Sequence, residues 1–319
     1  MPLTLVIGFM IAIPAVSAQA PATAPATAPA TQVQPPEPGK VALVGQLPAA
    51  LKVKRAKTGH LLVSPKINGQ AAGWFIFDTG AGMSCVDKTV AERLALPHAR
   101  DASALGEGGT QQTRLLKIKS LELGPVLVED STVVELNLKP IALAMGEQID
   151  GVIGYECFLP GVFEVDLTAG TITVHDHATY KLPDGHAWET LSFKGRRPRL
   201  PGKIENNEQG LFLFDLGANT SLTIYAPTVE RFKLLEGRET SAAMSGGVGG
   251  IHAARKGTVG SLTLAGERID DVPAVFAQSK QGTSGTEQEI FGSVGVGLLK
   301  RFVIVLNYRD QTVALLPRK

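Results

Sequence analysis

The 319-residue chain reads as a mainly-β protein made of two homologous lobes that face each other across a cleft. Three observations predict this. Trp74-Phe75-Ile76-Phe77-Asp78-Thr79-Gly80-Ala81 is an apolar run that delivers one carboxylate into a glycine turn, and Leu211-Phe212-Leu213-Phe214-Asp215-Leu216-Gly217-Ala218 repeats it. Such a run has no polar face to show water, so it predicts a buried strand. The repeat also extends downstream. Gly106-Glu107-Gly108-Gly109 matches Gly247-Val248-Gly249-Gly250, and Gly151-Val152-Ile153-Gly154 matches Gly292-Ser293-Val294-Gly295. The offset is 137 at the aspartates and 141 downstream, which one four-residue insertion explains. A period this long means two lobes rather than a solenoid. Finally, 35 Gly and 20 Pro in a chain that is 44% hydrophobic favour many strands joined by tight turns around a sizeable core.

Taken in order, residues 1–20 hold an apolar run, Leu3 to Ile13, then Pro14 and the small-x-small ending Val16-Ser17-Ala18. This predicts a signal peptide, although no Lys or Arg stands near Met1. The run is shorter than the ~20 apolar residues of a spanning helix, so no stable membrane span is expected. No Cys follows it for lipid attachment. Residues 21–40 are Pro/Ala/Thr-rich and predict a solvated, extended linker. An N-terminal lobe is expected over 41–185 and a C-terminal lobe over 186–319.

Lobe one opens with His60 to Ile67, and Asn68-Gly69 predicts a hairpin because both residues tolerate positive φ. The return strand ends at Asp78. Asp87 caps a predicted helix from Lys88 to Leu96, stopped by Pro97. Strands are expected over 115–121 and 126–134, a second glycine turn over 149–154, and a closing hairpin from 162–166 and 171–174. Lobe two repeats this order from Leu191 to Leu316.

A net charge of +1 argues against nucleic acid as a partner. The basic run Lys194 to Arg199 is local and predicts a solvated turn where lobe two begins. Cys85 and Cys157 align with Leu222 and Leu298, so both positions read as buried and apolar. In an exported protein they are a candidate disulfide, for which sequence supplies no geometry. Alternation puts His175 and His177 on one strand face, but no third ligand is spaced with them, so a strand end is expected and no metal. No Ser-His-Asp constellation, phosphate loop or dinucleotide fingerprint is present, and no cofactor is expected.

Asp78-Thr79-Gly80-Ala81 after an apolar strand, followed by the Gly151–Gly154 element, resembles an aspartic protease lobe. Two such lobes in one chain resemble the pepsin-like arrangement, and Ala after the Gly is closer to retropepsin-like proteins. The resemblance covers roughly residues 60 to 310. It implies β-barrel lobes and an aspartic endopeptidase with Asp78 and Asp215 as the catalytic pair. A peptide or protein substrate would be held as an extended strand in the cleft. Thr79, Gly80, Leu216 and Gly217 would support the pair, with the Thr79 hydroxyl bracing the opposite lobe. Gly106, Gly108 and Gly109, with Gly247, Gly249 and Gly250, would form mobile flaps. A monomer, periplasmic or secreted, is expected.

The chemistry follows from the pair. Two carboxylates this close cannot both ionise, so they share a proton, and one acts as base on a water while the other acts as acid. The local alternative for Asp78 is a turn carboxylate that caps its own backbone. Leu216 departs from the family pattern, which has Thr or Ser there, and an apolar side chain cannot donate the expected hydrogen bond. This keeps open a second reading, a non-catalytic module that binds peptides or partners in the same cleft.

Overall fold

Asn68 and Gly69 take φ values of 52° and 77°, and this left-handed pair turns Lys66–Ile67 back onto Gln70–Ala71. The chain then enters the buried strand Phe75–Phe77. In the computed structural model these belong to the first of two repeated, curled β-sheets. The structure describes residues 36–318 and, as backbone, 3–6 and 11–14. Of the expected signal peptide only the backbone of 3–6 and 11–14 is described, and most of the expected linker lies outside the described residues. The linker's expected end at residue 40 runs too far, because Lys40–Leu43 already pairs with Val126–Glu129.

Both lobes use one plan. In lobe one, Phe75–Phe77 lies parallel to Gly151–Ile153, which lies antiparallel to Cys85–Asp87. In lobe two, Gln209–Phe214 lies parallel to Ile290–Val294, which pairs with Leu222–Ile224. Asp87 caps the following helix by accepting from Thr89 N at 2.9 Å. That helix spans Lys88–Arg93, shorter than expected, because Ala95 turns at φ 49° before Pro97 is reached.

Two long hairpins stand over the strand corners. His98–Gly106 pairs with Gly109–Leu123, and Ser241–Gly247 with Gly250–Leu264. Their inner strands continue into Val126–Leu136 and Glu267–Ala277. The first strand of each hairpin was not anticipated: His98 to Gly106 mixes charged and small residues without a clear period. The backbone segments Leu3–Val6 and Ile11–Pro14 pair with the outer edges of these two hairpins.

The lobes are joined by their closing hairpins, Val162–Asp166 with Thr171–His175 and Phe302–Asn307 with Thr312–Pro317. These pair with each other antiparallel, Val162 opposite Asn307, Glu164 opposite Val305 and Asp166 opposite Val303. Since 162 and 303, 164 and 305, and 166 and 307 are repeat mates, the pairing is self-complementary about a local two-fold axis. An aromatic cluster lies over this shared six-stranded sheet, with Phe158 4.9 Å and Phe193 5.0 Å from Tyr308, ring centre to ring centre. The main apolar cluster includes residues of both lobes, and a second one lies in lobe one around Ile76, Cys85 and Val152.

Among the described residues, no helix is long and apolar enough to cross a membrane. Cys85 and Cys157 are free thiols. Cys85 packs with Ile76 and Val152, whereas Cys157 packs in the main core, so the candidate disulfide is not formed. The repeat mate of Cys85 also needs correction. Cys85 faces Val152, and the residue facing Ser293, the mate of Val152, is Thr223 rather than Leu222.

Candidate active site

Each aspartate leaves a buried strand at a matching corner. Asp78 N donates to Ile153 O at 3.3 Å and Asp215 N to Val294 O at 3.0 Å. Each carboxylate then bends back over its own turn. Gly80 N donates to Asp78 Oδ1 at 2.7 Å and Gly217 N to Asp215 Oδ1 at 2.9 Å. The local capping alternative therefore exists, but it accounts for only one oxygen of each side chain.

The other part of the geometry lies across the interface. A Cβ on Gly80 would stand 2.6 Å from the Asp215 carboxyl carbon, and one on Gly217 2.3 Å from that of Asp78. Each carboxylate lies over the other lobe's glycine, and only glycine permits that approach. The two carboxyl groups are thereby brought side by side across the interface, close enough for each to act on the other's titration. Both side chains are buried, and Asp78 Oδ2 has no regular donor among the described residues. Two ionised carboxylates this close repel each other, and neither can donate a hydrogen bond to the other. Burial, then the neighbouring Asp215 charge, pushes Asp78 well above the usual carboxylate range. Burial also raises Asp215, opposed by the hydrogen bond from Asp78, the Gly217 amide and the positive charge of Arg197. Both shifts favour the protonated form, and the two groups titrate as a pair.

Thr79 joins the two corners. Its hydroxyl donates to Phe214 O at 2.8 Å and accepts from Leu216 N at 2.9 Å. Leu216 cannot return the bond. Its side chain is buried in the apolar core. Two residues that sequence reasoning passed over brace the same turns. His60 Nε2 lies 2.9 Å from Gly217 O, and Tyr308 OH donates to Thr79 O at 3.3 Å. A carbonyl only accepts, so His60 carries its proton on Nε2, and Nδ1 accepts from the Thr58 hydroxyl at 2.7 Å. Burial lowers the His60 pKa to about 4, so the ring is neutral.

The hairpin tips close over the dyad and touch. Gly108 N donates to Val248 O at 3.0 Å. A Cβ on Gly108 would lie 2.0 Å from Gly250 O, and one on Gly249 2.2 Å from Gly109 O, so the tips need their glycines. Glu107, between Gly106 and Gly108, is buried against lobe two. It accepts from Thr283 Oγ1 at 3.2 Å, and its backbone oxygen accepts from Ser284 Oγ at 3.5 Å. Burial raises its pKa to about 7, against the hydrogen bonds of Ser284 and Thr283 and the charge of Arg197. Arg197 is itself buried at the matching position to His60, one repeat later. That alignment was the available signal for both residues. Their partners come from distant parts of the chain and left no trace in sequence.

Among the described residues, no group of His, Cys, Asp or Glu is arranged to hold a metal ion. His175 meets Tyr180 edge to face and His177 lies against Arg309. A family model described as aspartyl protease matches the chain twice, over residues 63–157 and 200–296. No curated protein matches the chain. With more than half of its residues inside these two matches, and with one Asp-x-Gly turn in each, the chain belongs to the aspartyl protease family.

Proposed function

We propose that the protein is an aspartic endopeptidase that hydrolyses peptide bonds with a water activated between Asp78 and Asp215. The single observation that carries this reading is the buried approach of the two carboxylates across the lobe interface, each lying over the other lobe's glycine. The ionised partner takes a proton from water as it attacks the peptide carbonyl, and the protonated partner supports the developing oxyanion. The proton then passes to the leaving amine. The flaps exclude bulk water from this step and must open for substrate to enter. A substrate bound as an extended strand fits the hairpin edges, which already pair with extended segments, Leu3–Val6 and Ile11–Pro14. The apolar N-terminal run supports export, with the enzyme acting as a monomer in the periplasm or outside the cell.

The test is hydrolysis of a broad peptide library at acidic pH by the full chain and by Asp78→Asn and Asp215→Asn. Each substitution keeps the shape and removes one ionisable group, so activity should vanish while the fold survives by circular dichroism. Activity in either variant equal to the parent's would overturn the mechanism. The buried Leu216, which leaves half of the hydroxyl bracing unmade, favours a second reading as a peptide-binding module. That reading predicts peptide affinity without turnover.

A further inference from the structure

The two lobes repeat the same backbone, but the walls that they turn toward the dyad have opposite chemistry. Val248, at the tip of the second flap, is buried in an apolar cluster of lobe one that includes Leu62, Ala104, Met145 and Val152, with Ala142 packed against it. Glu107 is its repeat mate at the tip of the first flap, and it is buried against lobe two. There the equivalent positions are polar. Arg199 stands for Leu62, Ser245 for Ala104, Thr283 for Ala142 and Ser293 for Val152. The strand registers support the first and last of these matches. Leu62 faces Ile76 as Arg199 faces Leu213, and Val152 faces Ile76 as Ser293 faces Leu213.

This polar wall is not internally satisfied. Arg197 Nε and Nη1, the Tyr225 hydroxyl, Ser293 Oγ, Ser245 Oγ and Glu107 Oε1 are all buried without a hydrogen-bond partner among the described residues. Burying that many donors, one of them a guanidinium, is costly unless a ligand completes them. Arg197 is close enough for its charge to act on Glu107, Asp215 and Tyr225. The tips are thus seated as stand-ins for substrate, an aliphatic side chain in one pocket and a carboxylate in the other. When the flaps open, Glu107 leaves, and its carboxylate place beside Thr283 and Arg197 falls free.

We propose that the cleft selects peptides carrying an aliphatic side chain on the lobe-one side of the dyad and an acidic side chain on the lobe-two side. Arg197, Thr283 and Tyr225 are the specificity-determining residues for the carboxylate. The inference rests on the endopeptidase reading for its placement of peptide in the cleft, but it concerns recognition rather than turnover. Arg197 donates to the incoming carboxylate through one of its unpartnered N–H groups, and Thr283 donates to it as it does to Glu107.

The test separates the two readings. Four decapeptides are made with a reduced CH2–NH bond at the centre, flanked by Leu–Glu, Glu–Leu, Leu–Gln or Gln–Leu in an otherwise uniform alanine and serine background. Binding to the full chain is read by calorimetry at about pH 6, where an exposed Glu is ionised. One Glu peptide should bind at least about tenfold tighter than its Gln counterpart, the effect of one charge-assisted hydrogen bond. Thr283→Val, which keeps the shape and removes one donor, should narrow that ratio, because the charged acceptor loses more than the neutral one. Arg197→Met should abolish it, and if that variant does not fold, Thr283→Val decides. Equal binding of Glu and Gln peptides in both orders overturns the proposal. Hydrolysis of the unmodified peptides is read separately. Cleavage without acidic preference rejects this inference alone, whereas acidic preference in binding without cleavage rejects the endopeptidase reading alone.

Discussion

Leu216 is where the two turns stop being equivalent. A threonine there would point its hydroxyl toward the Phe77 carbonyl, as Thr79 points toward that of Phe214. The leucine side chain is instead only 1% exposed and packed in the common core. Leu216→Thr removes buried methyl contacts and places a hydroxyl in that pocket, so a loss of about 1–3 kcal/mol is expected. The expected outcome is a lower thermal midpoint with no gain in hydrolysis, measured beside the parent. Equal stability with faster turnover would show that the mirror bond can still form. His60 gives a second test at this scale. Its folded pKa, about 4, lies below the ordinary value of 6.5, so the unfolded chain binds the extra proton first. The His60 contribution is fully present above about 6.5 and is lost as pH falls through about 4, an effect of roughly 3 kcal/mol. Urea midpoints of the parent and His60→Gln, compared from pH 7 down to pH 4, should converge as the pH falls.

The closed flaps hold one buried titratable group, Glu107, against lobe two. Glu107 is buried only while the hairpin tips are closed. The groups acting on it are Thr283, Ser284, Arg197 and Asp215, with Tyr225 nearby and His252 against Ser284. A carboxyl whose pKa is about 7 when closed and near its ordinary value of 4.5 when open favours the closed state at low pH. That preference is lost as pH rises from about 4.5 through about 7, weakening closure by up to roughly two orders of magnitude. Hydrogen exchange at the amides of Gly106 to Gly109, corrected for intrinsic rate, should therefore quicken across this range. Glu107→Gln should flatten the dependence, and an unchanged profile in that variant would mean that Glu107 does not govern closure. The same element carries the glycines that sequence singled out. Their role is steric as well as hinge-like, because the two tips approach closer than any side chain allows.

At the scale of the whole molecule, the halves share a sheet and a core. The closing hairpins pair residue for residue, and Tyr308 of the second half packs on Phe158 of the first while bonding Thr79. The connection between the halves is exposed over residues 183–188. A single cut there should leave the fragments associated through gel filtration, with one cooperative urea transition and a slope close to that of the intact chain. Two separate transitions would mean that the lobes are stable alone and that the dyad is held by weaker contacts than the shared sheet provides.

The sequence alone determined the mainly-β, two-lobed plan and the corners at Asp78 and Asp215. These are local or periodic properties: an apolar run must be buried, Asn-Gly must turn, and a repeat must fold twice the same way. Glycines at 80 and 217 marked where the chain bends sharply, although their contact with the opposite carboxylate could not be read. What only the tertiary structure decided is which polar groups share the low-dielectric space at the cleft. His60 reaches Gly217, Tyr308 reaches Thr79, and Glu107 reaches Thr283, each across more than 150 residues of chain. The Leu222 alignment failed for the same reason, since a one-residue shift in pairing changes the neighbour without changing the apolar pattern. Burial drives a strand inward wherever it lies, whereas a hydrogen bond or a shared proton depends on an atom of one particular partner, and that partner is chosen only when the lobes close on each other.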